Sequence, residues 1–202
     1  MQELERLLLK TSPTRRRNVV VVYGLGGIGK TQLAVEFARE YKRKFSAIFW
    51  LDGSSEASLK QSFIDALQRL PRDELTAAGV ELVKQATPDA NMAIRECSQW
   101  LSLSSNYAWL LIFDNVDRDK DDKDDPQAYN VKDYFPHADH GSILITSRLT
   151  SLQNCGEGVK IETVGAEQAR AILESNAKRV VEGESTSTLM LAITSCLLIG
   201  VI

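Results

Sequence analysis

The residues that could do chemistry gather in three short stretches. Gly24-Leu25-Gly26-Gly27-Ile28-Gly29-Lys30-Thr31 has the spacing G-x-x-x-x-G-K-[ST] of a phosphate-binding loop. Glycines let such a loop fold with its N–H groups pointing inward at phosphate oxygens. A helix starting at Lys30 would add its positive N-terminal end. Lys30 is then expected to reach the β- and γ-phosphates, and the Thr31 hydroxyl to bind Mg²⁺. Gln32, the next residue, completes the set expected to contact nucleotide. A glycine-rich turn without a ligand is the competing reading. The four fixed positions arise by chance in on the order of one chain in a hundred, but here they follow an apolar strand and open an amphipathic helix, the context such a loop requires.

Trp109-Leu110-Leu111-Ile112-Phe113-Asp114 is an apolar run ending in a carboxylate, the pattern of a strand whose Asp holds Mg²⁺ directly or through water. Alone this is weak, because many strands end in Asp at a turn. Ser142-Ile143-Leu144-Ile145-Thr146-Ser147-Arg148 ends in a cation that could sense a γ-phosphate. Pairing of Arg148 with surface carboxylates is the ordinary alternative.

Other clusters carry less. The aspartates between Asp117 and Asp125 lack the glycine and terminal glutamate of a calcium loop, and Arg118, Lys120 and Lys123 interleave them, so a solvated loop is expected. His137 and His140 have no nearby cysteine to complete a zinc site. Trp50, Trp100 and Trp109 lie in or beside apolar segments and are expected in the core.

Elements must exist to position these residues. Met1 to Lys10 reads as an amphipathic helix. Val19–Tyr23, Ala47–Leu51, Trp109–Phe113, Ile143–Thr146 and Val159–Thr163 read as strands. Between them, helices are expected from Lys30 to about Lys42, from Ser55 to a stop at Pro71, and twice over 72–104 with a break near Pro88; a closing helix spans Ala166 to Val180. Apolar strands alternating with helices mean an α/β sheet covered on both faces. Ligands of such sheets bind beyond the carboxyl ends of the strands, where all three motifs fall.

The chain has 202 residues, with 44% hydrophobic and 25% charged, the make-up of a globular protein with one sizeable core. A net charge of −3 gives no electrostatic case for nucleic acid. Three scattered cysteines suggest a reducing compartment, hence a cytoplasmic protein. The apolar run Leu189 to Ile202 is shorter than the roughly 20 residues of a membrane span.

GLGGIGKTQLA at 24–34, FSAIFWLDGSS at 45–55, WLLIFDNVD at 109–117 and GSILITSR at 141–148 follow one another in that order. Together they resemble the NB-ARC nucleotide-binding domain of STAND-class P-loop NTPases, closest to NLR-type receptors of the fungal branch, which Tyr134-Phe135-Pro136 also resembles. The resemblance spans residues 1–180 and leaves 181–202 as an atypical tail. It implies a P-loop NTPase three-layer sandwich with a five-stranded parallel sheet in the order 5-1-4-3-2. It implies ADP or ATP with Mg²⁺ as ligands, Thr31 and Asp114 at the metal, and Arg148 as the sensor of the γ-phosphate. In this family ADP marks a closed resting state, and exchange for ATP opens the protein to self-association through its full-length form. The chain departs from the pattern at Asn115, where many relatives carry a second acid, the base that orients water. An amide cannot accept that proton, so Asp117 is the remaining candidate base beside Asp114 and Arg148. Against the family's extent the chain reads as truncated at both ends, without the lobes that lid the nucleotide. A nucleotide switch is therefore expected; a turnover ATPase or kinase, and a non-binding remnant, are the alternatives.

Overall fold

The computed structural model describes residues 1–9, 17–120 and 125–162. Its strands are β1 (Asn18–Tyr23), β2 (Ala47–Asp52), β3 (Trp109–Asp114), β4 (Ser142–Ser147) and β5 (Glu157–Lys160). They form one five-stranded sheet in the order β2-β3-β4-β1-β5, with every pairing parallel. This is the order 5-1-4-3-2 read from the other edge. The phosphate-loop strand β1 thus lies beside β4, and β4 beside β3, so the three motifs leave neighbouring strand ends.

Strand periodicity divides the core in two, because successive side chains point to opposite faces. Val20, Val22, Ile48, Leu110, Ile112 and Leu144 pack on one face against α1 (Gln2–Leu8) and α2 (Lys30–Glu40), through Leu4, Leu7, Leu8, Ala34, Phe37 and Ala38. Val21, Phe49, Leu51, Leu111, Phe113, Ile143 and Ile145 pack on the other, against α3 (Glu56–Leu67), α4 (Ala77–Val83) and α5 (Ala90–Leu101). Helix, sheet and helix make the three layers. Side chains accept the first free N–H groups of α3, α4 and α5: Ser55, Thr76 and Asp89 serve as N-caps.

Several expected boundaries move. The phosphate-loop helix ends at Glu40, and Lys42–Lys44 forms a separate 3₁₀ turn. The third helix stops at Leu67, before Pro71, and Leu70 is buried beyond its end. The last strand starts at Glu157 rather than Val159. Both β2 and β5 are edge strands, but β2 is covered and mostly buried whereas only Val159 of β5 is even partly buried, so burial does not demand of β5 the apolar run that marks the other four. The charged loop is less solvated than its composition suggests: Arg118 pairs with Asp125 at 2.8 Å, and Asp119 accepts from the Ser151 hydroxyl at 2.6 Å. Trp100 and Trp109 are core residues, while Trp50 is only partly buried against the α2-side core. The expected closing helix and the segment Leu189–Ile202 lie outside the described residues, as do Arg15, Arg16, Asp121, Asp122, Lys123 and Asp124.

Candidate nucleotide site

The loop between β1 and α2 is built on glycine for a physical reason. Gly24, Gly27 and Gly29 have φ of 156°, 73° and 100°, values that side chains resist. At Gly24 space is also lacking: a Cβ there would meet the Ile161 carbonyl oxygen at 2.5 Å. The Lys30 ammonium folds back over the loop and donates to the carbonyls of Gly24 at 2.9 Å and Leu25 at 2.8 Å.

A cavity of about 460 Å³ opens over this loop, lined by Gly26, Gly27, Gly29, Lys30, Thr31, Gln32, Asn115, Thr146 and Arg148. Residues from the β1, β3 and β4 ends meet here. Gly24, Leu25 and Ile28 belong to the loop but do not line the cavity; Leu25 is exposed. Two larger clefts, of about 830 and 940 Å³, lie elsewhere on the surface. Neither has a glycine loop in its lining. The first does include Glu56 and Asn91 from the opening turns of α3 and α5, but Ser55 and Asp89 already cap those turns, so size does not select the candidate anion site.

Neither Asp114 nor Asp117 is part of the cavity lining; Asp114 is held against two residues that are, Thr31 and Thr146. Its Oδ1 accepts from the Thr31 hydroxyl at 2.8 Å and from the Thr146 hydroxyl at 2.5 Å. Burial pushes its carboxyl above the usual carboxylate range; the two hydroxyls oppose that shift and the neighbouring charge of Asp52 adds to it. A hydroxyl and a half-buried carboxylate side by side are hard oxygen donors, and a carboxylate disfavoured by burial gains most from a cation. Thr31 and Asp114 therefore fit Mg²⁺ chemically.

Asn115 is next along the chain, in the left-handed region at φ 62°, which asparagine tolerates better than most residues. Its N–H donates to the Thr146 hydroxyl oxygen at 2.9 Å. Asp117, the candidate base, has both oxygens on Arg148: one accepts from the Arg148 backbone N–H at 2.6 Å, the other from Nε at 2.5 Å. Arg148 thus lines the cavity and also makes the carboxylate pair that was its ordinary alternative.

A sequence model of the NB-ARC domain matches residues 1–181. The chain belongs to the NB-ARC domain family. It is also similar to a nucleotide-binding leucine-rich repeat (NLR)-like protein of Hyaloscypha variabilis, 25% identical over 174 residues that cover 81% of this chain. The chain spans 16% of that protein's length. Among the described residues of this NB-ARC domain, no helix is long and apolar enough to cross a membrane.

Two residues of the NB-ARC site escaped the sequence reading. Thr146 joins Asp114 to Asn115, and it was hidden inside an apolar strand motif. Asp52, at the end of β2, is the register partner of Asp114 and bears on its charge. In the structure, positions 110, 112 and 114, 144 and 146, and 48 and 52 share the parity that faces α2, but strands apolar on both faces carried no sequence signal of it.

Proposed function

We propose that the chain is the ADP- or ATP-binding switch module of an NLR-like STAND signalling protein, with residues 1–180 as the nucleotide-binding domain and 181–202 as an atypical tail that begins the adjoining helical lobe. The observation that carries this reading is the 2.8 Å hydrogen bond from Thr31 to Asp114. It brings the phosphate-loop helix and the end of β3 to one point beside Lys30, as a Mg²⁺-nucleotide site requires. Gly26, Gly27, Gly29 and the N-terminus of α2 would cradle the phosphates. Lys30 would exchange its two loop carbonyls for phosphate oxygens. Thr31 and Asp114 would hold Mg²⁺, which when bound neutralises the phosphate charge. Arg148 would report the terminal phosphate.

Hydrolysis in this reading is slow. Asn115 cannot serve as a base, and the oxygens of Asp117 are already engaged by Arg148. Nucleotide state then acts as a signal, read in the full-length protein through self-association in the cytoplasm. Calorimetry with Mg²⁺ and ADP or ATP tests the binding. Lys30→Ala removes a charged partner of the phosphates and should weaken binding by about 1.5–3 kcal/mol; equal affinity of variant and wild type would refute the site. Steady-state turnover should fall well below about 1 s⁻¹, the low end for typical enzymes. Turnover at that rate or above would favour an ATPase or kinase instead.

A further inference from the structure

The ion pair at the cavity rim has a geometry that a surface pair does not need. Beyond the sheet, the chains leaving β3 and β4 run together. The Val116 N–H donates to the Thr146 carbonyl at 2.9 Å, and the Ser147 hydroxyl to the Val116 carbonyl at 2.6 Å. This places Asp117 beside Arg148. The Asp117 side chain is 11% exposed and that of Arg148 62%. The carboxylate takes the backbone N–H and Nε of Arg148. Among the described residues nothing accepts from either terminal amino group. The arm of Arg148 crosses the phosphate loop at Gly26, where a Cβ would stand 3.5 Å from its Cδ.

A guanidinium has five donors in a fixed plane. A side-on carboxylate pair usually occupies Nε and one terminal nitrogen. Here the backbone N–H takes the place of that second donor, so Nη1 and Nη2 stay available as a fork matched to a phosphate. Resting on the nucleotide-switch reading, we propose that Asp117 is a positioning residue: it fixes Arg148 through Nε so that the two terminal amino groups are presented to the terminal phosphate of a nucleoside triphosphate. Its work is done on the arginine, before the ligand arrives. Ordering a long side chain in advance removes a cost that would otherwise be met on binding. The benefit goes to the ligand that Arg148 touches, so Asp117 sets preference between triphosphate and diphosphate rather than overall affinity.

The test is calorimetry on the full chain with Mg²⁺ and either ADP or the non-hydrolysable triphosphate AMP-PNP, for wild type, Asp117→Asn, Arg148→Ala and the double variant. The two donors are held by different carboxylate oxygens; in Asp117→Asn one of those oxygens becomes an NH₂ group that faces its donor and cannot accept from it. AMP-PNP affinity should fall about three- to tenfold, the scale of releasing an ordered arginine, with ADP affinity unchanged. In the Arg148→Ala background the same substitution should leave the ratio of the two affinities unmoved. Amide exchange at Arg148 in the nucleotide-free protein should quicken in Asp117→Asn, a readout independent of ligand. Equal loss for both nucleotides would mean a merely structural role and overturn the proposal. Tighter AMP-PNP binding would mean that Asp117 masks Arg148 and would overturn it too. Unchanged binding with reduced turnover would make Asp117 a base and overturn it as well. If wild type binds neither nucleotide, the switch reading fails and this proposal with it; if wild type binds both and only the ratio test fails, the switch reading stands.

Discussion

Thr146→Val isolates the hinge of the site. Thr146 is 1% exposed, and its hydroxyl joins two groups. It donates to Asp114 at 2.5 Å and accepts from the Asn115 N–H at 2.9 Å. Valine keeps the β-branched shape that β4 favours and replaces only the hydroxyl by a methyl. The bond to a carboxylate is worth about 1.5–3 kcal/mol, and the abandoned Asn115 N–H adds about 1 kcal/mol, the low end for an unmet donor, because Asn115 is exposed enough for water to serve it. The expected loss is about 2.5–4 kcal/mol. This is a large share of the roughly 5–15 kcal/mol that holds a domain folded. Urea unfolding should read it as a midpoint lowered by about 1–3 M at ordinary m-values. Thr146→Ser keeps the hydroxyl and loses one buried methyl, about 0.8 kcal/mol plus a small cavity cost, so it should recover most of the stability. A valine variant within about 0.5 kcal/mol of wild type would refute the reasoning. So would serine costing as much as valine, because keeping the hydroxyl would then have recovered nothing.

Asp114→Asn should stabilise the nucleotide-free protein at neutral pH while abolishing Mg²⁺-dependent nucleotide binding. Burial raises the folded pKa of Asp114, so the folded state holds its proton to higher pH than the unfolded chain does. Stability from this group is full below the unfolded value and declines as pH rises through the folded one; melting temperatures from acid to neutral pH should show that decline in wild type and lose this component in the variant. A variant less stable than wild type at neutral pH would contradict the sign. At Asn115, whose φ is 62°, Asn115→Gly should be near neutral and Asn115→Val should cost about 1–2 kcal/mol; equal melting temperatures for the two would argue against the left-handed turn.

The fold was legible because four of its strands are buried on both faces and read as continuous apolar runs. That same burial hid the site's internal logic. A strand apolar on both faces shows no alternation, so nothing in the pattern says which of its residues look toward α2. Only the placement of Leu110 and Ile112 against one helix layer, and of Leu111 and Phe113 against the other, reveals that Asp114 and Thr146 share the face of Thr31. The phosphate loop was legible by spacing alone, because its chemistry is carried by consecutive residues. The bond between Asp117 and Arg148 was not. It joins turns 31 residues apart, and the depth at which each turn leaves its strand decides it. Composition misled for the same reason at the charged loop, where Asp117, Asp119 and Asp125 have fixed partners.

Every charged group expected to meet nucleotide or metal has a partner within the protein. Lys30 holds two loop carbonyls, Asp114 holds two hydroxyls, and Arg148 is held at Nε by Asp117. Binding at this site is therefore an exchange, and its free energy is a difference between old and new partners. The three groups differ in what they give up. Lys30 must leave neutral carbonyls, a modest loss against a charged phosphate. Asp114 starts from an ionised state disfavoured by burial, so a cation relieves a penalty and breaks no good pair. Arg148 gives up nothing, because its terminal amino groups have no partner among the described residues. The diphosphate end of the site would have contacts to replace, whereas the position facing Arg148 is ready-made. Under the proposed switch function, that asymmetry would let one added phosphate shift the balance between two states.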